Sequence, residues 1–258
     1  MNEYSFDGLD LDWEFPGFPK KNGTERRGYT AIITKLRRVF GRKYLLTVAV
    51  PAQERVFKSG YELLEISRQV DWLNVMTYDY YVWTSLFTGP NAPLYSLSET
   101  KYVPIAKHLS VDWSIQEFIT MGVPRHKIVM GIPTYSRGYK LLLSSGPKPL
   151  RPALGAHSGE LPDYLTFPEV CKFISMPETR VYYDSFAEVP FLSTKSVWVT
   201  YEDERSLIAK VRYALSNHLG GYMTWNLNSD NFNQSCMGNQ TRNILHRTMF
   251  HTLKNYRT

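Results

Sequence analysis

Apolar positions along the 258-residue chain follow two alternating spacings. Short runs rich in β-branched and aromatic residues fall at 6–13, 44–50, 72–78, 127–133 and 221–226 and read as strands. Segments 25–40, 61–70, 114–121 and 204–219, with 241–253 near the end, place apolar residues three and four apart and read as helices. Strand and helix in turn are the rhythm of a parallel sheet or barrel, so the fold class is α/β. Five strands are too few to close an eight-stranded (β/α)8 barrel. From about 138 to 196 the rhythm stops, and Pro147, Pro149, Pro152, Pro162, Pro168, Pro177 and Pro190 punctuate short extended pieces. That stretch reads as an inserted α+β subdomain, which divides the chain into 1–137, the insertion at 138–196, and 197–258.

The most informative run is Phe6-Asp7-Gly8-Leu9-Asp10-Leu11-Asp12-Trp13-Glu14-Phe15-Pro16-Gly17. Alternate residues of a strand share a face, so Leu9, Leu11 and Trp13 lie on one side and Asp10, Asp12 and Glu14 on the other. Neighbouring acids are then about 6 to 7 Å apart at Cα, and in a poorly solvated cleft they retain at least one proton between them. Glu14 is nearest the strand's C-terminal end, the end at which parallel barrels carry catalytic groups. A solvated strand face would tolerate the acids but leaves the alternating apolar residues and the Pro16-Gly17 stop unexplained. A calcium loop starting at Asp10 fails because its sixth position is Phe15 and its twelfth is Lys21. Catalysis is the reading these residues favour among the three.

Composition changes the picture little. The net charge of +6 has its densest basic stretch at 35–43, spaced to form one solvated helix face, which is favoured over a nucleic-acid patch. No run of about 18 apolar residues is present, and the chain carries no export leader, so neither a membrane nor a nucleic-acid partner is expected. Cys171 and Cys236, with acceptor sequons at Asn22, Asn233 and Asn239, point toward a secreted, extracellular parent protein. Tyr, Phe and Trp are plentiful enough to line a groove on which sugar rings stack.

The chain resembles the family 18 glycoside hydrolases, the chitinases and chitinase-like proteins. Asp7, Asp10, Asp12 and Glu14 match the family's Asp-x-x-Asp-x-Asp-x-Glu in full. Met76-Thr77-Tyr78-Asp79-Tyr80 is similar to its Met-x-Tyr-Asp after the sixth strand, and Gly131 to Tyr139 to its Gly-x-Pro-x-Tyr-x-Arg after the seventh. Gly220-Gly221-Tyr222-Met223-Thr224-Trp225 is similar to its eighth strand. The resemblance implies a partial TIM (β/α)8 barrel, strands 4 to 8, N-terminally truncated so that three βα units lie outside the chain. It also implies a disulfide between Cys171 and Cys236.

The activity implied is retaining, substrate-assisted hydrolysis of β-1,4-N-acetylglucosamine linkages in chitin or chito-oligosaccharides. Glu14 is then the general acid and base, Asp12 orients the substrate's N-acetyl group, and Asp10 shares a proton with Asp12. Tyr78 and Asp79 hold that sugar, Trp225 forms its floor, and Asp7, Met76, Trp83, Tyr135 and Arg137 shape the cleft. No cofactor and no metal are implied, and a complete barrel would be a monomer. Departures at Tyr80-Tyr81-Val82-Trp83, Asn226 and Asn228 touch subsite shape. Two alternatives stand beside hydrolysis. One is a lectin-like chitin binder, which would typically lack the acid; the other is an inactive fragment left with two open sheet edges.

Overall fold

The computed structural model describes residues 2–20, 23–82, 86–98, 104–142, 148–157, 164–234, 236 and 242–256. In chain order its elements are β1 (Gly8–Asp12), α1 (Gly23–Phe40), β2 (Leu45–Pro51), α2 (Glu54–Gly60), α3 (Leu63–Gln69), β3 (Trp72–Met76), α4 (Val111–Thr120) and β4 (Ile128–Pro133). There follow β5 (Ser136–Leu141), β6 (Ala153–Ala156), β7 (Tyr164–Leu165), α5 (Phe167–Ile174), β8 (Arg180–Asp184), β9 (Val189–Ser193) and β10 (Val197–Thr200). Last come α6 (Glu204–Ser216), β11 (Gly221–Trp225) and α7 (Ile244–Tyr256). Contacts divide the chain into two compact units. One comprises Met1–Thr77, Asp112–Gly131 and Ala214–Met223, the other Tyr78–Val111, Ile132–Tyr213 and Thr224–Thr258.

The five predicted strands lie in one sheet, in the order β1-β2-β3-β4-β11, and the first three pairings are parallel. In β2 every residue after Leu45 is buried, as expected of an apolar strand covered on both faces. Helix α1 turns Tyr29 and Ile33, four residues apart, into the core. It ends at Gly41, whose φ of 55° and N–H to the Arg37 carbonyl (2.9 Å) form a left-handed helix stop. Arg37 then ties this end to the start of β2, donating to the Tyr44 carbonyl (3.1 Å) and pairing with Asp71 (2.7 Å).

The acidic strand departs from the expected one-sided burial. β1 is an outer strand of the sheet, and Leu9 (36% exposed) and Trp13 (39%) remain partly in solvent on the face expected to be apolar and covered. The helix predicted at 61–70 is α3, and a further short helix, α2, precedes it, parted from it by Tyr61 and Glu62. The strand expected to run to Tyr78 ends at Met76.

The second unit holds a six-stranded sheet of order β6-β5-β10-β9-β8, with β7 on β5 and every pairing antiparallel. Alternation explains its two cores. Val197, Val199 and Tyr201 pack with Leu165, Val170 and Leu192 on one side, while Trp198 packs with Tyr139, Leu141 and Phe191 on the other. Helix α5 starts with a capping box, the Thr166 N–H donating to Glu169 (2.7 Å). Cys171 of α5 is disulfide-bonded to Cys236, 65 residues on, with a Cα–Cα distance of 5.3 Å. A fully buried ion pair joins Glu202 to Lys210 of α6, and Ser206 donates a further hydrogen bond to the carboxylate (2.6 Å).

Candidate active site

In the first unit the acids of β1 are placed by register. Asp10 faces Thr47 directly across β1 and β2, and its Oδ1 accepts from the Thr47 hydroxyl and from Asn74 Nδ2 (2.9 Å). Asn74 is itself held by Trp72 Nε1 (3.1 Å). Asp10 borders a cavity of about 560 Å³ lined also by His126 and Tyr222. One same-face position further along, Asp12 is hydrogen-bonded to the Glu14 side chain. Two carboxyl groups in hydrogen-bond contact need a proton between them, so this pair stores one. Asp10, Asp12 and Glu14 are all exposed residues, and partial desolvation of the Asp12 carboxyl with the Asp10 charge beside it raises the Asp12 pKa above the usual range, the bond from Glu14 partly offsetting the rise. Asp12 thus bonds to another acid, Glu14, whereas Asp10 accepts from the neutral side chains of Thr47 and Asn74.

Two tyrosines that the sequence pattern does not single out fix the backbone of this strand. Tyr29 of α1 donates to the Leu11 carbonyl (3.1 Å) and Tyr61 to the Trp13 carbonyl (2.7 Å). Their rings meet edge to face at 5.3 Å, and Trp13 packs on Tyr29 at 6.0 Å. Burial first, then the neighbouring charges, raises both hydroxyl pKa values, so both stay protonated donors. Asp7 is exposed, its carbonyl accepting the Leu45 N–H (2.9 Å), and Met76 ends β3 half-buried.

The second unit gathers Tyr78, Asp79, Tyr135 and Arg137. Asp79 sits at φ 58°, a left-handed conformation that Asp tolerates better than most residues, with its N–H on Asn91 Oδ1 (2.9 Å). Its Oδ1 accepts from the Tyr135 hydroxyl (2.7 Å) and from Arg137 Nε (3.0 Å) and Nη2 (2.7 Å). Burial, and then the Asp79 charge, raises the Tyr135 hydroxyl well above its ordinary pKa, so it remains a donor. Tyr78 meets Tyr135 edge to face at 6.0 Å. Tyr164 stacks parallel to the Tyr135 ring at 4.9 Å. It belongs to this cluster although no spacing in the sequence points to it.

Trp225 ends β11 with 54% of its surface exposed, and its carbonyl accepts the Thr134 N–H (2.9 Å). Trp83 lies outside the described residues. No group of three or more His, Cys, Asp or Glu is placed to hold a metal among the described residues. Chemically, the first unit offers a stored proton beside a carboxylate. The second offers a fixed, charge-paired carboxylate with an exposed aromatic face.

The model of glycosyl hydrolases family 18 matches residues 1–230. Probable chitinase 2 of Drosophila melanogaster is 33% identical over 248 residues, 92% of this chain, and the chain spans 50% of that relative's length. The Ostrinia furnacalis Group IV chitinase, solved with allosamidin, has a TM-score of 0.91 at 32% identity, over 98% of this chain and 70% of that one. Human YKL-39, a pseudo-chitinase with retained chitooligosaccharide binding, has a TM-score of 0.90 at 25% identity, over 98% and 70%. A match over residues 1–230, carrying the acidic strand, both tyrosine motifs and Trp225, places the chain in glycosyl hydrolases family 18.

Proposed function

We propose that the protein hydrolyses β-1,4 linkages between N-acetylglucosamine units of chitin or chito-oligosaccharides, with retention of configuration. The observation that carries this is the Asp12–Glu14 hydrogen bond, which keeps a proton on an acid at the end of a strand. Glu14 passes that proton to the glycosidic oxygen as the bond to the leaving sugar breaks. The carbonyl oxygen of the substrate's own N-acetyl group attacks the anomeric carbon, giving a cyclic oxazolinium ion and needing no protein nucleophile. Asp12 accepts the hydrogen bond of the acetamido N–H and offsets the positive charge, with Asp10 behind it, held by Thr47 and Asn74. Glu14, now a carboxylate, takes a proton from water as that water opens the ring. Tyr78, Asp79 and Trp225 hold the sugar, with Met76, Trp83, Tyr135, Arg137 and Asp7 shaping the cleft.

In this reading the five-stranded sheet supplies strands 4 to 8 of a TIM barrel, and 138–196 is the subdomain inserted after the seventh. The Cys171–Cys236 bond supports a secreted parent protein. The rival is a chitin-binding protein that does not cut, a reading favoured by the likeness to the pseudo-chitinase. Glu14→Gln separates them in a fluorophore-release assay on 4-methylumbelliferyl chitobioside. Hydrolysis by the wild type that falls roughly a hundredfold to ten-thousandfold in the variant, at equal thermal stability, supports catalysis. A folded wild type that binds the oligosaccharide without cutting it overturns catalysis in favour of binding.

A further inference from the structure

Asn226, directly after Trp225, stands where a polar side chain normally caps a helix. It precedes the short 3-10 turn Leu227–Ser229 in the N-cap position, yet its side chain makes no capping bond. Its Oδ1 instead accepts from the Ser229 hydroxyl (2.6 Å), which is bonded in turn to the Tyr164 hydroxyl, and that second hydroxyl also lies 3.1 Å from the amide oxygen, so two hydroxyl protons serve three contacts. Its carbonyl accepts the Thr134 hydroxyl. The amide oxygen is thus held by this hydroxyl pair, and because the carboxamide is planar, the direction of Nδ2 is set with it. That nitrogen has no partner among the described residues, and on a half-buried residue it is not sealed from solvent.

The bracket is continuous with the Asp79 cluster. Tyr164 stacks on Tyr135, and Tyr135 donates to Asp79. The unit therefore presents an exposed indole and, on the next residue, an aimed amide donor. An aromatic face with a fixed hydrogen-bond donor beside it recognises a pyranose, the ring stacking while a hydroxyl or acetamido oxygen accepts.

We infer that Asn226 is a direct sugar-binding residue, donating from Nδ2 to an oxygen of the N-acetylhexosamine that stacks on Trp225, and that Tyr164 and Ser229 are its positioning residues. This rests on the proposed function. It assigns specificity to the residue directly after Trp225.

The test measures binding of penta-N-acetylchitopentaose by tryptophan fluorescence in a Glu14→Gln background, where cutting is suppressed. Asn226→Ala and the near-isosteric Asn226→Asp are each added, with thermal unfolding as the check on folding. Both are expected to weaken binding roughly threefold to tenfold, the effect of one lost hydrogen bond. Tyr164→Phe is expected to weaken binding less, and to have no further effect once Asn226 is alanine, a non-additivity that a merely structural tyrosine would not show. Unchanged binding in Asn226→Asp overturns the assignment while leaving the proposed function standing. An undiminished effect of Tyr164→Phe without Asn226 overturns the positioning role. No binding by the Glu14→Gln parent, with its fold intact, overturns both the assignment and the reading beneath it.

Discussion

Asp12 titrates above the ordinary Asp value of 3.8 because its carboxyl is partly buried and lies beside Asp10. The folded protein therefore holds this proton to higher pH than the unfolded chain does. Stability falls as pH rises from the ordinary value through the raised one, and the deficit persists above it. Asp12→Asn removes the deficit, so its thermal midpoint at neutral pH is expected to exceed the wild type's, with the gap closing in acid, while the proposed hydrolysis is expected to collapse. A variant that melts below the wild type at every pH would contradict this. The acids are legible in the sequence because period-two alternation is a local signal. Tyr29 and Tyr61 are not, since their hydroxyls reach carbonyls 18 and 48 residues away, and nothing in the spacing of a tyrosine records which carbonyl it meets. Tyr164 is hidden for a similar reason, in a proline-rich stretch without periodicity.

At the scale of elements, the buried pair at the start of α6 is the sharpest case. Burial penalises the charge on each partner, raising the Glu202 pKa and lowering that of Lys210, and each charge is what keeps the other ionised. Lys210→Met leaves a carboxylate buried with Ser206 as a neutral donor, and urea unfolding is expected to show a loss of about 3–5 kcal/mol. Replacing both partners by apolar residues of similar volume is expected to recover most of that loss. The long elements of the parallel sheet are readable because their apolar residues keep one period over many positions. Helix α2 escapes a reading by period because its seven residues span under two turns and include Glu54, Arg55 and Lys58, too few apolar positions to establish one. The strands β6 to β9 are legible only as extended pieces, because they are short and punctuated by prolines, and the pairing of β5 with β10 that joins the sheet spans the whole insertion.

Across the whole molecule, two features invite measurement. The Cys171–Cys236 bond closes a long loop, and replacing both cysteines by serine is expected to lower stability by about 2–5 kcal/mol, read from the unfolding midpoint under non-reducing conditions. The outer strand β1 carries exposed Leu9, with Tyr4 and Phe6 exposed just before it and Trp13 just after, which is the profile of an edge that recruits other edges. Leu9→Lys is expected to reduce concentration-dependent light scattering without lowering the melting temperature; unchanged scattering would remove the edge as its cause. Family membership is readable from four short motifs, whereas their supports are not, because motifs are contiguous and supports are distributed. That difference bears on protein engineering. Since the carbonyls of the acidic strand are held by hydroxyls from α1 and from the break between α2 and α3, the motif is no portable cassette. A scaffold grafted with the acids alone would inherit the charges without the rigidity that sets their spacing, and a transplant would have to carry both tyrosines with it.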